Sequence, residues 1–269
     1  MFFRMTAFAA ALAVTGAANA APQNWQVGMQ SAASPVMARI EDFHTLLLYI
    51  ITAVCLFVAA LLIWVMIRYN QRANPVPSKT HHNTLLEMAW TLVPVAILVF
   101  IAVPSFRLLY FEAEIPKPDV TIKAIGKQWF WTYEFPKDGD FQFDSYMLTD
   151  AQRTGTGEPR LLGVDHPVYV PVNKVVEIDT TGADVIHSWA VPAFGVKMDA
   201  IPGRINRTWF KATALGTYYG ECSELCGANH AFMPIEVKVV SEADYQAWLA
   251  MTKKKYTAND GATRVAAGN

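Results

Sequence analysis

Apolar and polar positions along the chain fall into three unlike patterns. From Thr45 to Ile67 no charged residue interrupts a run of Leu, Ile, Val and Ala that also carries Cys55, Trp64 and Met66. A second charge-free run extends from Met88 to Phe106, between Glu87 and Arg107. A helix needs roughly 20 apolar residues to cross a bilayer. The two runs therefore predict membrane-spanning helices over residues 44–69 and 85–110. Pro94 and Pro104 lie in the second, where neighbouring groups can satisfy the carbonyls they free. The segment between, 70–84, contains the turn-rich Asn74-Pro75-Val76-Pro77. The hairpin is thus expected to close through a short loop.

Beyond about Lys117 the long runs give way to short, alternating segments. Val120 to Ile125, Trp129 to Phe135, Val168 to Val172, Val175 to Thr180 and Val185 to Val191 read as strands. Further strands are expected at Ile205 to Lys211, Thr217 to Glu221 and Ile235 to Val240, punctuated by Asp138-Gly139, Thr181-Gly182 and Pro202-Gly203. Many short strands with turns between them make residues 117–253 an all-β sandwich or barrel. A closing helix is expected from Ser241, which with Asp244 forms a capping box, and Tyr245, Trp248 and Leu249 share its apolar face. Residues 254–269 are expected to form a flexible tail.

Charge gives the hairpin a direction. The connecting segment carries Arg68, Arg72 and Lys79 and no acid before Glu87, and lysine and arginine mark the cytoplasmic side. The segment 21–43 and everything after Arg107 then face the periplasm of a bacterial inner membrane. Residues 1–20 agree with this orientation. Arg4, an Ala-rich apolar stretch and Ala18-Asn19-Ala20 have the form of a secretory signal with a small-residue cleavage site. The formal net charge of -1 gives no reason to expect a nucleic-acid partner. No dinucleotide-binding glycine pattern, phosphate-binding loop, nucleophile-elbow serine or C-x-x-C-H haem attachment appears.

The densest chemistry lies from Cys222 to Met233, Cys-Ser-Glu-Leu-Cys-Gly-Ala-Asn-His-Ala-Phe-Met, a C-x3-C-x3-H-x2-M pattern. Soft sulfur with imidazole selects copper over magnesium, calcium or manganese. A mononuclear blue-copper site uses one thiolate, so this loop has a thiolate to spare, and two thiolates can bridge two copper ions. Such a centre needs a second imidazole. His187 is the better candidate, ending an expected strand, and His166, in a turn before Pro167, is the lesser. Met233 would serve as a weak axial ligand and a backbone carbonyl, most simply that of Glu224, would complete the set. Two rival readings use the same cysteines. A disulfide is the usual fate of such a pair in an oxidising compartment, but it leaves His230 and Met233 without a purpose. A Cys2His2 zinc site leaves Met233 without one.

In these segments the chain resembles subunit 2 of haem-copper cytochrome c oxidase in its bacterial form. The resemblance rests on the hairpin, on Gly126-Lys127-Gln128-Trp129-Phe130-Trp131, on Asp184 to Pro192 and Gly195 to Arg204, and on Tyr218 to Pro234. It implies a cupredoxin-like Greek-key domain holding the binuclear copper centre CuA on His187, Cys222, the Glu224 carbonyl, Cys226, His230 and Met233. It also implies a Mg2+ ion at the Glu224 side chain, shared with subunit 1, and electron acceptance from cytochrome c through Trp129. Glu134, Asp165 and Asp184 match acids that attract the cytochrome, while Lys127 and Phe130 depart from the commonest residues of that motif. Glu87 matches the residue at the mouth of a proton pathway. The implied partners are subunit 1, further oxidase subunits, cytochrome c and membrane lipid, with oxygen reduction and proton pumping carried out in subunit 1. A copper-free quinol oxidase counterpart would lack the cysteine pair. A nitrous-oxide reductase type of protein would need more than the 6 histidines present. A membrane-tethered copper carrier would need an exposed, exchangeable site.

Overall fold

The computed structural model describes residues 18–266, of which residues 18–20 and 257–266 are described in backbone only. The leader read into residues 1–20 thus lies outside the described residues except for Ala18–Ala20. These three form β1, running parallel to a later strand at Gly216–Tyr218.

Two long helices come first. α1 spans Pro35–Arg68, with Pro35 in its first turn and the Ser34 hydroxyl accepting from the Met37 N–H at 3.0 Å. α2 spans Thr84–Ala113, capped by Asn83, whose side chain accepts from the Leu86 N–H at 3.1 Å. Both are long and apolar enough to cross a membrane, and α2 stays helical through Pro94 and Pro104. α1 begins nine residues before the expected span. Its extra turns bury Val36 and Met37 against the β domain rather than facing lipid.

The β domain is a sandwich of two sheets. One takes the order β4-β3-β2-β6-β9, from strands β2 (Val120–Lys127), β3 (Phe130–Phe135), β4 (Phe141–Ser145), β6 (Val175–Gly182) and β9 (Asn206–Lys211). The other takes the order β5-β11-β10-β7-β8, from β5 (Val168–Pro171), β7 (His187–Val191), β8 (Val196–Ala200), β10 (Gly216–Cys222) and β11 (Pro234–Val240), with β1 beside β10. A one-turn helix α3 (Asp150–Arg153) lies between β4 and β5. Alternation aims one side chain in two at the facing sheet, and Ile122, Trp131, Phe135, Ile178, Trp189 and Ile235 are fully enclosed between the layers. At roughly 25 cal/mol per Å² of apolar surface, each contributes about 1.5–3 kcal/mol of burial free energy.

α4 (Glu242–Ala266) caps the sandwich. Ser241 accepts from the Asp244 N–H at 3.2 Å, and its hydroxyl donates to the Asp244 carboxylate at 2.6 Å. Trp248 packs across Phe135, Phe141 and Phe143 and stacks on Tyr169. The helix continues through residues expected to be a flexible tail. Tyr256 lies on the Phe143 and His166 rings, so an aromatic contact holds a turn whose composition is otherwise polar.

The sandwich is fastened to the hairpin. The Ser34 hydroxyl donates to the Phe194 carbonyl at 2.6 Å, and the Ala33 backbone exchanges hydrogen bonds with Ala193 and Thr213. Trp209 donates its indole N–H to the Glu112 carbonyl at 3.2 Å and meets Phe111 edge to face.

Candidate metal centre

β10 ends at Cys222 and β11 begins at Pro234, so the loop 223–233 crosses one end of the sandwich. β7 lies beside β10, with Trp189 paired to Cys222. This register delivers His187 to the same end. His187 opens β7 rather than closing a strand, because Val185 and Ile186 are exposed in the preceding bend.

The Sγ atoms of Cys222 and Cys226 are 3.8 Å apart, and both thiols are free and buried. His187 Nδ1 and the Glu224 carbonyl oxygen approach Cys222 Sγ at 3.8 and 3.3 Å. His230 Nδ1 and Met233 Sδ approach Cys226 Sγ, each at 3.5 Å. The structure therefore brings together all six donors read from the sequence, with the imidazole, carbonyl and thioether groups divided between the two sulfurs. At this separation both sulfurs could serve one metal site. Thiolate, imidazole and thioether together match the soft-ligand preference of copper.

Burial would push both thiols up. For Cys222 that push is outweighed by its hydrogen bonds with His187 and with the backbone at Ser188 and Glu224, so this thiol lies below its ordinary range. Cys226 lies above it, held by burial and then by the negative charge on Cys222. A cation bound by both sulfurs would therefore have to displace the proton that Cys226 holds more tightly than Cys222. Burial disfavours the charged form of His187, but its contacts with Cys222 and Asp184 prevail and raise its pKa.

The surroundings fix these groups. Asp184 Oδ1 lies 2.8 Å from His187 Nε2, which directs Nδ1 at Cys222. The same carboxylate accepts from the backbone N–H groups of Gln128 and Val185, both at 2.7 Å. Burial would raise Asp184, but these hydrogen bonds lower it and keep it ionised. Gln128 Nε2 and Trp129 Nε1 both donate to the Cys226 carbonyl, at 2.8 and 3.2 Å, and Trp131 Nε1 donates to the Met233 carbonyl at 3.2 Å. Gly126 is needed here because a Cβ at that position would stand 2.6 Å from His187 Cγ. Around the loop Leu225, Ile186 and Phe232 are exposed, Leu225 by 81%.

The other residues singled out from the sequence stand apart from this cluster. Glu134 is on β3 in an ion pair with Lys123 at 2.7 Å. Asp165 accepts from the Tyr146 N–H at 2.8 Å and lies 3.2 Å from His166. Glu224 directs its carboxylate to Lys197 at 3.1 Å, away from the sulfur that its carbonyl meets. Glu87 is in the first turn of α2, at the opposite end of the hairpin, where its carboxylate accepts from the Asn83 N–H at 3.2 Å. Sequence reasoning missed Gly126, Gln128 and the hold of Asp184 on His187. The i,i+3 spacing of Asp184 and His187 was the available signal for the last.

Residues 120–240 match the family described as cytochrome c oxidase subunit II, periplasmic domain, and residues 22–108 match its transmembrane domain. A Rickettsia bellii protein named probable cytochrome c oxidase subunit 2 is 50% identical over 246 residues, covering 91% of each chain. The cytochrome c oxidase subunit 2 of Cereibacter sphaeroides is 45% identical, over 86% of this chain and 82% of its own. Among solved structures, the periplasmic domain of subunit II of cytochrome oxidase from Bradyrhizobium japonicum is 56% identical with a TM-score of 0.50. That match covers 53% of this chain and 99% of the other.

Proposed function

This chain belongs to the cytochrome c oxidase subunit II family, and on that premise we propose that it receives electrons from cytochrome c at a binuclear copper centre, CuA, for delivery to haem in subunit 1. The observation that carries the proposal is the joint placement of Cys222 and Cys226 with His187, His230, Met233 and the Glu224 carbonyl. Two copper ions bridged by the thiolates would supply a one-electron store whose bonds change little on reduction.

The chain's own residues do the rest. Cys222 and Cys226 would provide thiolate charge to the metal, and burial keeps water from them. Asp184 orients His187, a service that usually also raises ligand basicity. Trp129 reaches from the half-exposed surface to the Cys226 carbonyl, so it lies on a short covalent and hydrogen-bonded route to a ligand sulfur. The exposed Leu225, Ile186 and Phe232 would offer apolar contacts, and Asp165, with Glu134 where its pair with Lys123 leaves charge over, would speed the approach of a basic cytochrome. Glu224 would serve twice, through its carbonyl here and through its carboxylate at a Mg2+ ion shared with subunit 1. Glu87 would stand at the mouth of a proton pathway in subunit 1. The hairpin would sit in the bacterial inner membrane beside subunit 1 and further oxidase subunits, with the copper domain in the periplasm.

The test is electron paramagnetic resonance with metal analysis of the full chain purified from membranes. The expected result is two coppers per chain and a hyperfine pattern from one unpaired electron shared equally by two copper nuclei. A single-nucleus copper spectrum, stoichiometric zinc, or a Cys222–Cys226 disulfide in the metal-loaded protein would overturn the reading.

A further inference from the structure

The end of the hairpin beside the β domain carries polar chemistry that the copper centre does not use. An open cavity of about 270 Å³ lies there between α1 and α2. Arg39, Asp42 and Arg107 line it, together with Phe43, Leu46 and Leu108. The apolar spans begin at Thr45 and end at Phe106. The three charged groups therefore stand at the edge of the hydrocarbon layer, where lipid headgroups lie. Arg39 is stacked on Phe111, its guanidinium carbon 3.4 Å from the ring centroid. This contact fixes its plane and leaves its N–H groups unspent. Among the ion pairs of the described residues, neither Arg39 nor Arg107 has a carboxylate within 4.0 Å, although Asp42 lines the same cavity. Two guanidiniums on facing helices, with a carboxylate beside them and an aliphatic floor below, match a phosphodiester, an ammonium and the upper part of an acyl chain.

We propose that this cavity holds one glycerophospholipid of the ethanolamine headgroup class, its phosphate between Arg39 and Arg107 and its ammonium at Asp42. The bound lipid would join the two helices at the level where both meet the β domain, since Phe111 also contacts Trp209.

The experiment is native mass spectrometry of the full chain in a mild non-ionic detergent, titrated with phosphatidylethanolamine and separately with phosphatidylglycerol. The wild-type chain is expected to retain one phosphatidylethanolamine more tightly than the rest. R107Q should weaken that adduct about tenfold, the scale of one charged hydrogen-bonding contact, and R107K should restore part of it. R39Q should act alike, and because it also removes the stack on Phe111, R107Q is the decisive variant if R39Q folds poorly. D42N should lower binding of phosphatidylethanolamine while sparing phosphatidylglycerol. Equal lipid retention by wild type and R107Q would overturn the site, as would displacement of the lipid by millimolar inorganic phosphate. An unchanged preference in D42N would overturn the headgroup assignment.

Discussion

The Trp129 indole donates its N–H to the carbonyl oxygen of Cys226 at 3.2 Å, and Gln128 donates to the same oxygen at 2.8 Å. Two donors from one turn thus hold the backbone of a candidate ligand, and only one of them is aromatic. The pair separates structure from electron transfer.

Trp129→Phe keeps an aromatic ring but loses the indole and that hydrogen bond, while Gln128 still holds Cys226. The expected cost is about 1 kcal/mol of stability, with copper content unchanged and reduction by cytochrome c clearly slower in stopped-flow measurements. An unchanged rate would place electron arrival at another surface.

Cys222→Ser and Cys226→Ser should each remove the two-nucleus copper spectrum. Gly126→Ala tests the site without substituting a ligand. Its new methyl group would meet the His187 ring at 2.6 Å, and forcing the ring aside costs typically about 1–3 kcal/mol. The expected result is a lower melting temperature and faster copper loss to a chelator.

Asp184 and Asp165 should part company on substitution. Asp184→Asn weakens the hold on His187, and loss of such an orienting partner costs about 10–100-fold in metal affinity. Asp165→Asn should leave copper in place and flatten the ionic-strength dependence of reduction by cytochrome c. If Asp184→Asn retained copper like the parent and changed only the salt slope, its role would be docking alone.

Glu236 gives a pH dependence unrelated to the metal. It is 2% exposed, and burial raises its pKa above 4.5 despite the Val164 N–H at 3.0 Å and Lys238 at 3.2 Å. Between the unfolded value and the raised folded value, the folded state binds the extra proton. Stability from this group is therefore lost as pH rises through that window. Glu236→Gln should flatten the decline of melting temperature with pH that starts just above 4.5, and an unaltered slope would contradict the assignment.

Local pattern carried much of this structure. Charge-free length alone marks both spans, and eight strands follow from alternation or β-branched runs. The C-x3-C-x3-H-x2-M spacing marks the donors because a single loop supplies most of them. Strand pairing is less accessible. Nothing local says that β2 lies parallel to β6, or that β10 turns from β1 at Gly216–Tyr218 to β7 at Glu221–Cys222. β8, Val196-Lys197-Met198-Asp199-Ala200, alternates cleanly between apolar and charged residues, but it is short and holds a single β-branched residue, so its signal is weak. β4, with Phe141 and Phe143 buried on either side of exposed Gln142, could have been read from the same rule as its neighbours. The donation of the Gln128 backbone to Asp184 crosses between distant segments and leaves no trace in either one. The extension of α4 past Lys253 depends on where Tyr256 lands, which only the folded sandwich determines.

The contacts of Trp209 with Glu112 and Phe111, together with those of Ser34 on Phe194, set the position of the β domain relative to the hairpin. A cupredoxin unit on a slack tether could swing between a donor and an acceptor, carrying charge by its own travel. A unit bolted to both helices stays at one height and one heading above the bilayer. If the proposed copper centre carries electrons, they would leave it by tunnelling across a constant gap, and the diffusing carrier would do all the moving.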